Sequence, residues 1–473
     1  MPGALFRFIG SALLGVLCAG VFFFASPVPT SADGFITNTF SSDSNRLGDC
    51  LPLARTDRSY STVDDLKSTN CSAALQYWAE NLLHSRTAGH LSTDIHTNGD
   101  TRSLAVPVRA RRHVVVFGVS SYASDARLFS DDKEYGSDIS CGSHSTRLWT
   151  GCTFGHTGIV LSEAATSVNA SGTSTYPQHV FGVLGGQAGS EFALSDRDTS
   201  LQLLQSLGKK TDIQVKFSSG RQNDGLDFSG NSDAISIPSN LHVAQESAGL
   251  RMKISRKTTA AASYAVGKGD GCNNIMLDGS PVGELDTGTD FTRYELGLQI
   301  DASPRTTWYV GGVYKFEKLS LDGLGIQGQE LGINLRPFNQ QINFNGSMKF
   351  SDRFLDVGMR HELSKRWQFG ADYKLALVKS GLYADYVGAG FFNLLSISGT
   401  YFDTPFSTIV HEVGLSATYR EGPVTTVFQI NQLIPGGSTG GSSSRGSGSG
   451  ISAAPGTRST GGTNISLSCG YSF

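Results

Sequence analysis

The last ten residues, NISLSCGYSF, alternate without a break between apolar and polar side chains. Successive side chains of a strand point to opposite faces, so one face here is apolar up to the final residue and the other is polar. Similar alternation recurs from residue 291 onward and more sparsely from residue 211. Each segment is about ten residues long, which is the length that a tilted strand needs to cross a bilayer.

Short breaks such as SPR, SD, SK and EG separate these segments and predict hairpin-sized connections. A large soluble β-sandwich would also alternate, but too few other strands are present to cover so many apolar faces. Lipid could cover them, and inside a bilayer the sheet must then close on itself. The pattern therefore predicts an all-β fold, an antiparallel transmembrane β-barrel of about 12–18 strands.

Aromatic side chains near the strand ends support this interpretation, because transmembrane barrels carry aromatic girdles at both membrane boundaries. The residues assigned to these girdles are Phe291, Trp308, Phe316, Phe350, Trp367, Tyr401, Tyr419 and Phe473.

The polar face carries full charges of both signs in the middle of the strands. We assign them to the barrel lumen, where their balance predicts weak ion selectivity. A hydrated pore lining and a self-neutralising lumen that rigidifies a narrow or plugged barrel are both compatible with this pattern. The predicted lumen residues are Arg293, Glu295, Asp301, Lys315, Glu330, Arg336, Lys349, Asp356, Arg360, Glu362, Asp372, Lys374, Glu412 and Arg420.

The final strand resembles the C-terminal strand of bacterial outer-membrane β-barrel proteins. The matching residues are Ile465, Leu467, Tyr471 and Phe473, with Cys469 as an unusual filler between them. The resemblance implies that the barrel-assembly machinery reads this strand and that the protein is integral to an outer membrane. A mitochondrial or plastid outer-membrane barrel is the alternative, because EVGLSATY at 412–419 fits the sorting motif of that class.

The chain divides into three parts. Residues 1–32 have an apolar run followed by small residues and predict a cleaved secretory signal peptide. Residues 33–210 form a mixed or irregular N-terminal region that is periplasmic, a plug or a set of early strands, with one helix expected near 64–86. Residues 211–473 form the barrel, with a flexible Gly/Ser-rich loop at 436–462.

Export to an oxidising compartment would allow disulfides. Two local cysteine pairs are the candidates: Cys50 with Cys71, and Cys141 with Cys152. Neither spacing is typical of a zinc site.

A porin-like channel that passes small solutes or ions is the leading hypothesis for the function. The alternative is a surface or autotransporter-like barrel that presents its N-terminal region, because about twelve strands fit in the last 230 residues. A helix threading the pore before residue 247 would support it, but the segment SDAISIPSNLHVAQ contains Pro238 and is a poor helix candidate. An enzyme is disfavoured, since Ser143 beside His144 is the nearest approach to a catalytic pair. No cofactor, metal or nucleic-acid partner is predicted, and the net charge of -3 indicates no polyanionic partner.

Overall fold

A computed structural model describes most of the chain as one closed β-barrel. The described residues are 60, 62–86, 92–110, 113–131, 136–176, 186–229, 234–277, 279–322, 326–327, 341–390, 395–440 and 462–472.

Sixteen long antiparallel strands and one two-residue strand form a single sheet. The strands are β1 (Ser72–Arg86), β2 (Ser92–Ala110), β3 (His113–Asp131), β4 (Gly136–Phe154), β5 (Thr157–Tyr176), β6 (Gly186–Leu207), β7 (Thr211–Ser229), β8 (Ala234–Lys253), β9 (Thr258–Leu277), β10 (Ser280–Ser303), β11 (Thr306–Asp322), β12 (Ile326–Gln327), β13 (Gln341–Glu362), β14 (Trp367–Gly390), β15 (Leu395–Glu421), β16 (Val424–Gly440) and β17 (Gly462–Ser472).

Each long strand pairs with its neighbour along the chain, and β11 pairs directly with β13 past the short β12. The last strand closes the ring by pairing with the first, from Ala74 opposite Ser472 to Leu83 opposite Thr463. Every long strand therefore has two neighbours, and no long edge is left without a partner. The predicted transmembrane barrel, with a strand number inside the predicted range, is confirmed.

The two ends of the barrel differ in their connections. At one end the strands are joined by short turns, for example 155–156, 304–305 and 422–423. The connections at the other end include the longer ranges 177–185 and 441–461. We call these the short-turn end and the long-loop end. The Gly/Ser-rich loop expected at 436–462 falls at the long-loop end, although β16 extends into its start and the remainder lies outside the described residues.

Strands also occupy most of the N-terminal region. The helix expected near 64–86 is wrong: a helix, α1, spans only Val63–Ser68, and β1 begins at Ser72. The Ala, Leu, Gln and Glu residues of β1 favour a helix by local propensity, but pairing with β2 and β17 satisfies the backbone of this segment on both sides. The first six strands belong to the barrel, and α1 lies against their inner side.

As its sequence indicated, the segment before residue 247 does not form a helix that threads the pore: β8 occupies this position and pairs with β7 and β9. Among the described residues, no helix has the length and apolar character that crossing a membrane requires. The signal peptide predicted at 1–32 lies outside the described residues.

Cys141 and Cys152 cannot form the predicted disulfide. Both lie on β4, eleven positions apart, and neither is bonded to another cysteine. Eleven residues of a strand span roughly 36 Å, several times the distance that a disulfide bridges. Cys71 directly precedes β1, but Cys50 lies outside the described residues, so that pairing stays a prediction.

The outward face is apolar. Leu296 and Leu415 are 67% and 60% exposed, although both stand in the middle of long strands. Two aromatic bands border this face. Trp367 packs on Tyr419 near the short-turn end, with ring centroids 4.8 Å apart. Toward the long-loop end, a row of three tyrosines crosses β9, β10 and β11, with successive ring centroids 5.0 and 6.2 Å apart: Tyr264, Tyr294 and Tyr314.

Two residues assigned to the girdles face the other way. Phe291 lies over Gly267, on the inner face that also carries Arg293. Phe350 alternates with the outward-facing Leu355 on the uninterrupted strand β13, so it belongs to the inner face. The reasons differ: Phe291 shares the parity of Arg293 on β10, so the alternation itself places it inward, whereas Phe350 is reversed because β13 continues through the SD break at 351–352.

Candidate functional site in the barrel interior

The interior of the barrel carries the polar and charged side chains. Glu295, Glu412 and Lys216 are 3%, 8% and 3% exposed, whereas their apolar neighbours along each strand face outward. This inverted distribution is typical of a barrel whose outside meets lipid and whose inside meets water.

Strands β10, β11 and β13–β15 form one part of the inner wall, which we call the charged wall. Arg293 forms an ion pair with Glu295, which also accepts a hydrogen bond from Ser263 Oγ at 2.8 Å. On the next strand, Lys315 Nζ lies 3.1 Å from Glu317 Oε2. Each charge therefore has a partner of opposite sign on the same wall.

A second group on the charged wall alternates in sign across the strands. Lys374 on β14 stands directly opposite Asp356 on β13 and opposite Glu412 on β15. Its ammonium group also lies 5.3 Å from the centre of the Phe354 ring. Opposite charges in cross-strand positions stabilise a sheet, and the alternation leaves little net field along the wall.

Most of the predicted lumen residues alternate with outward apolar residues and so lie on the inner face. Lys349 does not: it alternates with the outward-facing Leu355 on β13 and is exposed. Glu330 and Arg336 lie outside the described residues. The residues that the structure places on the inner face are Arg293, Glu295, Asp301, Lys315, Asp356, Arg360, Glu362, Asp372, Lys374, Glu412 and Arg420.

Sequence analysis missed a second polar group on the inner faces of β4, β6 and β7. Asp198 lies within electrostatic range of both Arg147 and Lys216. The Lys216 ammonium is buried without a hydrogen-bond partner, as is the Oε1 atom of Gln214 on the same face. The run Asp196–Gln202 gave only a weak signal, because Arg197 and Thr199 on the opposite face are also polar and only Leu201 is apolar. Small Ser, Thr and Ala residues obscured the alternation.

A third part of the inner wall is apolar, and α1 covers it. Val63 and Leu66 of α1 are completely buried against Val116 and Leu204. Tyr60, just before the helix, packs edge-on against Trp149 with ring centroids 5.2 Å apart. We call residues 60–69 the plug segment and the inner faces of β3–β6 near the short-turn end the plug wall.

Three polar features stabilise the plug segment: one within its helix and two that link it to the barrel. Its helix begins with a capping box, in which the Asp65 amide donates to Thr62 Oγ1 at 3.0 Å and the Thr62 amide donates to Asp65 Oδ2 at 2.9 Å. At its C-terminal side, Arg109 Nη2 donates to the carbonyl oxygen of Thr69 at 3.0 Å. The side-chain amide of Gln202 donates to the carbonyl oxygen of Tyr60.

Gly151 lets the helix approach the wall. A Cβ atom at this position would lie 2.7 Å from Leu66 Cδ1, closer than packed carbon atoms approach one another. The fit between a glycine on the wall and a leucine on the helix indicates a specific docking site.

The candidate catalytic pair does not form. Ser143 and His144 are neighbours on β4 and therefore point to opposite faces. The hydroxyl of Ser143 instead shares a hydrogen bond of 2.6 Å with Ser124.

One group of potential metal ligands occurs among the described residues. The ligand atoms of Cys272, Glu284 and Asp286 lie within 4.8 Å of one another toward the long-loop end. The Cys272 thiol donates to Glu284 Oε1 at 2.9 Å, so the two groups already satisfy each other. Exposed carboxylates often occur together without an ion, and we assign no metal here.

Comparison with known proteins shows resemblance of fold alone. No protein-family model matches the sequence, and no curated protein does either. A similar solved structure is the ferric yersiniabactin uptake receptor FyuA from Yersinia pestis, at 8% identity and a TM-score of 0.41, covering 86% of this chain and 80% of the receptor. Another is a FadL homologue from Pseudomonas aeruginosa, at 11% identity and a TM-score of 0.37, covering 87% and 93%. A third is the translocator domain of the autotransporter NalP from Neisseria meningitidis, at 10% identity and a TM-score of 0.29, covering 86% and 91%.

Proposed function

We propose that the protein is a porin-like channel of an outer membrane, through which small polar solutes and ions pass. The observation that carries this proposal is the charged wall inside a sixteen-strand ring. Strands about 4.8 Å apart and tilted by roughly 40° form a ring about 32 Å across between backbones. Barrels of this strand number leave an aqueous channel.

The plug segment would narrow the channel on one side. A helix with its side chains is about 10 Å in diameter, so α1 occupies roughly a third of the distance across the ring. It docks on the plug wall and on the neighbouring strand β2, through Ala105 and Arg109, and the charged wall lies on other strands. Solutes would therefore pass between α1 and the charged wall.

The strand number favours a bacterial type of outer membrane over an organellar one. Single-chain bacterial barrels have an even number of strands, whereas the mitochondrial anion channel has nineteen. Sixteen long strands agree with the bacterial rule. We propose that the chain is exported through residues 1–32 and that the barrel-assembly machinery inserts it.

Swelling of proteoliposomes in solutes of increasing size tests the channel hypothesis. We expect entry of small neutral sugars and of amino acids of either charge at comparable rates, because the inner charges alternate in sign. The proposal would be contradicted if none of these solutes enters although the protein is folded, as judged by a change in its gel mobility on heating.

A pair of substitutions on β17 tests insertion. Leu467 is half-exposed on the outward face, and Ser466 next to it faces inward. Leu467→Asp should reduce the amount of inserted protein, because a carboxylate facing lipid costs about 1 to 2 kcal/mol. Ser466→Asp should insert normally. Equal amounts of both variants in the outer-membrane fraction would show that the two faces are not distinct.

A further inference from the structure

Four basic side chains stand on the outward face of β11, β13 and β14, just beyond the tyrosine row toward the long-loop end. We call them the basic patch: Lys318, Lys349, Arg353 and Lys379.

The basic patch is electrostatically unfavourable by itself. Lys318 stands directly opposite Lys349, and like charges in such positions destabilise a sheet. Arg353 lies over the Tyr314 ring at 5.4 Å, and Lys379 is on the adjacent strand. The outward positions of β13 and β14 opposite Tyr314, Phe316 and Lys318 carry no carboxylate. On the other side of β11, Asp290 of β10 stands directly opposite Lys318 and is the one acid beside the basic patch among the described residues.

An apolar groove lies directly beneath the tyrosine row on the same face. Its volume is about 450 Å³, and it is lined by small residues such as Ala260 and Gly312 and by larger ones such as Leu250 and Leu355. Leu355, on its rim, is two residues along β13 from Arg353 and so stands next to it on the same face. The outward-facing residues of the groove are Leu250, Met252, Ala260, Ala262, Leu296, Leu298, Val310, Gly312 and Leu355.

We infer that this surface binds a lipid whose headgroup carries two phosphomonoesters, with one acyl chain in the groove and the phosphates on the basic patch. The order along the strands is that of such a lipid: apolar groove, aromatic row, cations. With Asp290 opposite Lys318, four cations and one acid leave a net charge of about +3, which still exceeds what a single phosphodiester neutralises, whereas a phosphomonoester carries about -1.5 to -2 near neutral pH. The patch lies toward the long-loop end, which is extracellular in outer-membrane barrels, so the ligand belongs to the outer leaflet.

Native mass spectrometry of the detergent-solubilised barrel with bisphosphorylated lipid A, monophosphorylated lipid A and phosphatidylglycerol tests this inference. We expect the bisphosphorylated form to bind most tightly. Lys318→Gln with Lys349→Gln should weaken its binding roughly 30-fold, given the contribution expected of each basic residue near an anionic headgroup. Ala262→Leu, which fills the groove, should also weaken binding.

Two control variants match these substitutions. Lys257→Gln with Lys365→Gln removes the same charge at the short-turn end, where both lysines are exposed. Ala371→Leu adds the same bulk to the outward face of β14 outside the groove. Both controls should bind lipid A like the unaltered protein, and gel mobility before heating verifies that every variant is folded.

Equal affinity for lipid A and phosphatidylglycerol, or equal losses in test and control variants, would overturn the inference. So would a dimer that Ala262→Leu dissociates without changing lipid binding, since a second copy of the chain would then cover the groove.

Discussion

The plug wall and the charged wall belong to the same ring of strands but differ in how their inward-facing side chains are satisfied. On the plug wall, Val116 and Leu204 present an apolar surface to the interior, and the plug segment removes that surface from water. On the charged wall, Arg293 and Glu295 satisfy each other and need no covering chain. The difference teaches that the inner wall is apolar where another segment of the chain covers it and charged where it is left uncovered.

The largest effect should come from breaking the contact between plug segment and plug wall. Leu66→Asp removes a completely buried leucine, worth roughly 1.5 to 3 kcal/mol, and adds a carboxylate with no partner. Protease cleavage within residues 60–69 should accelerate roughly 100-fold, as the undocked population rises. Ser68→Asp, on the exposed side of the same helix, is the control and should change the rate little.

A smaller effect on protease cleavage should follow from adding one methyl group to the plug wall. The same addition to the charged wall is the control. Gly151→Ala forces a Cβ atom against Leu66, and overpacking costs about 1 to 3 kcal/mol, so cleavage of the plug segment should accelerate roughly tenfold. Gly311→Ala, at a position on the charged wall where the nearest atom is 3.7 Å from the added Cβ, should leave the cleavage rate unchanged. Similar rates for the two variants would mean that α1 does not dock on Gly151.

The smallest effect should come from changing charge on the charged wall. Arg360→Gln with Lys374→Gln leaves Asp356 and Glu412 without their cross-strand cation. Cations should then be favoured roughly threefold over anions, as judged by the reversal potential in a salt gradient. Arg197→Gln removes an exposed cation from the outward face, where it pairs with Glu163 at 2.7 Å, and should not shift the reversal potential.

The barrel and much of the charged wall could be predicted from the sequence, because period-two alternation is a local signal. The positions of Glu295, Lys374 and Glu412 follow from it directly. Lys349 shows its limit. The SD break at residues 351–352 predicted a turn, and a turn would have restarted the alternation, but β13 continues through these residues. The face of every residue before the break is thereby reversed.

The plug wall could not be predicted in the same way. Leu66 packs against Gly151, although the two residues are distant in the chain. The alternation around each of them is the same as in neighbouring segments, so it does not mark either residue as part of a docking site. The helix predicted over β1 was wrong for a related reason: helix propensity is a local property, whereas pairing with the strands on both sides determines the conformation of this segment.

Single-channel conductance in a planar bilayer tests the central claim, that the interior is a wet pore narrowed by α1. The unaltered protein should give discrete, weakly selective conductance steps. Inside the side chains the pore is roughly 20 Å wide, so a helix of about 10 Å fills about a quarter of its cross-section. The six-residue helix is only about 9 Å long, less than a third of the roughly 30 Å path through the membrane core, so Leu66→Asp should raise the conductance by roughly a tenth. Ser68→Asp should leave it unchanged. Absence of steps from correctly folded protein, or an unchanged conductance once the plug segment is open to protease, would contradict the account.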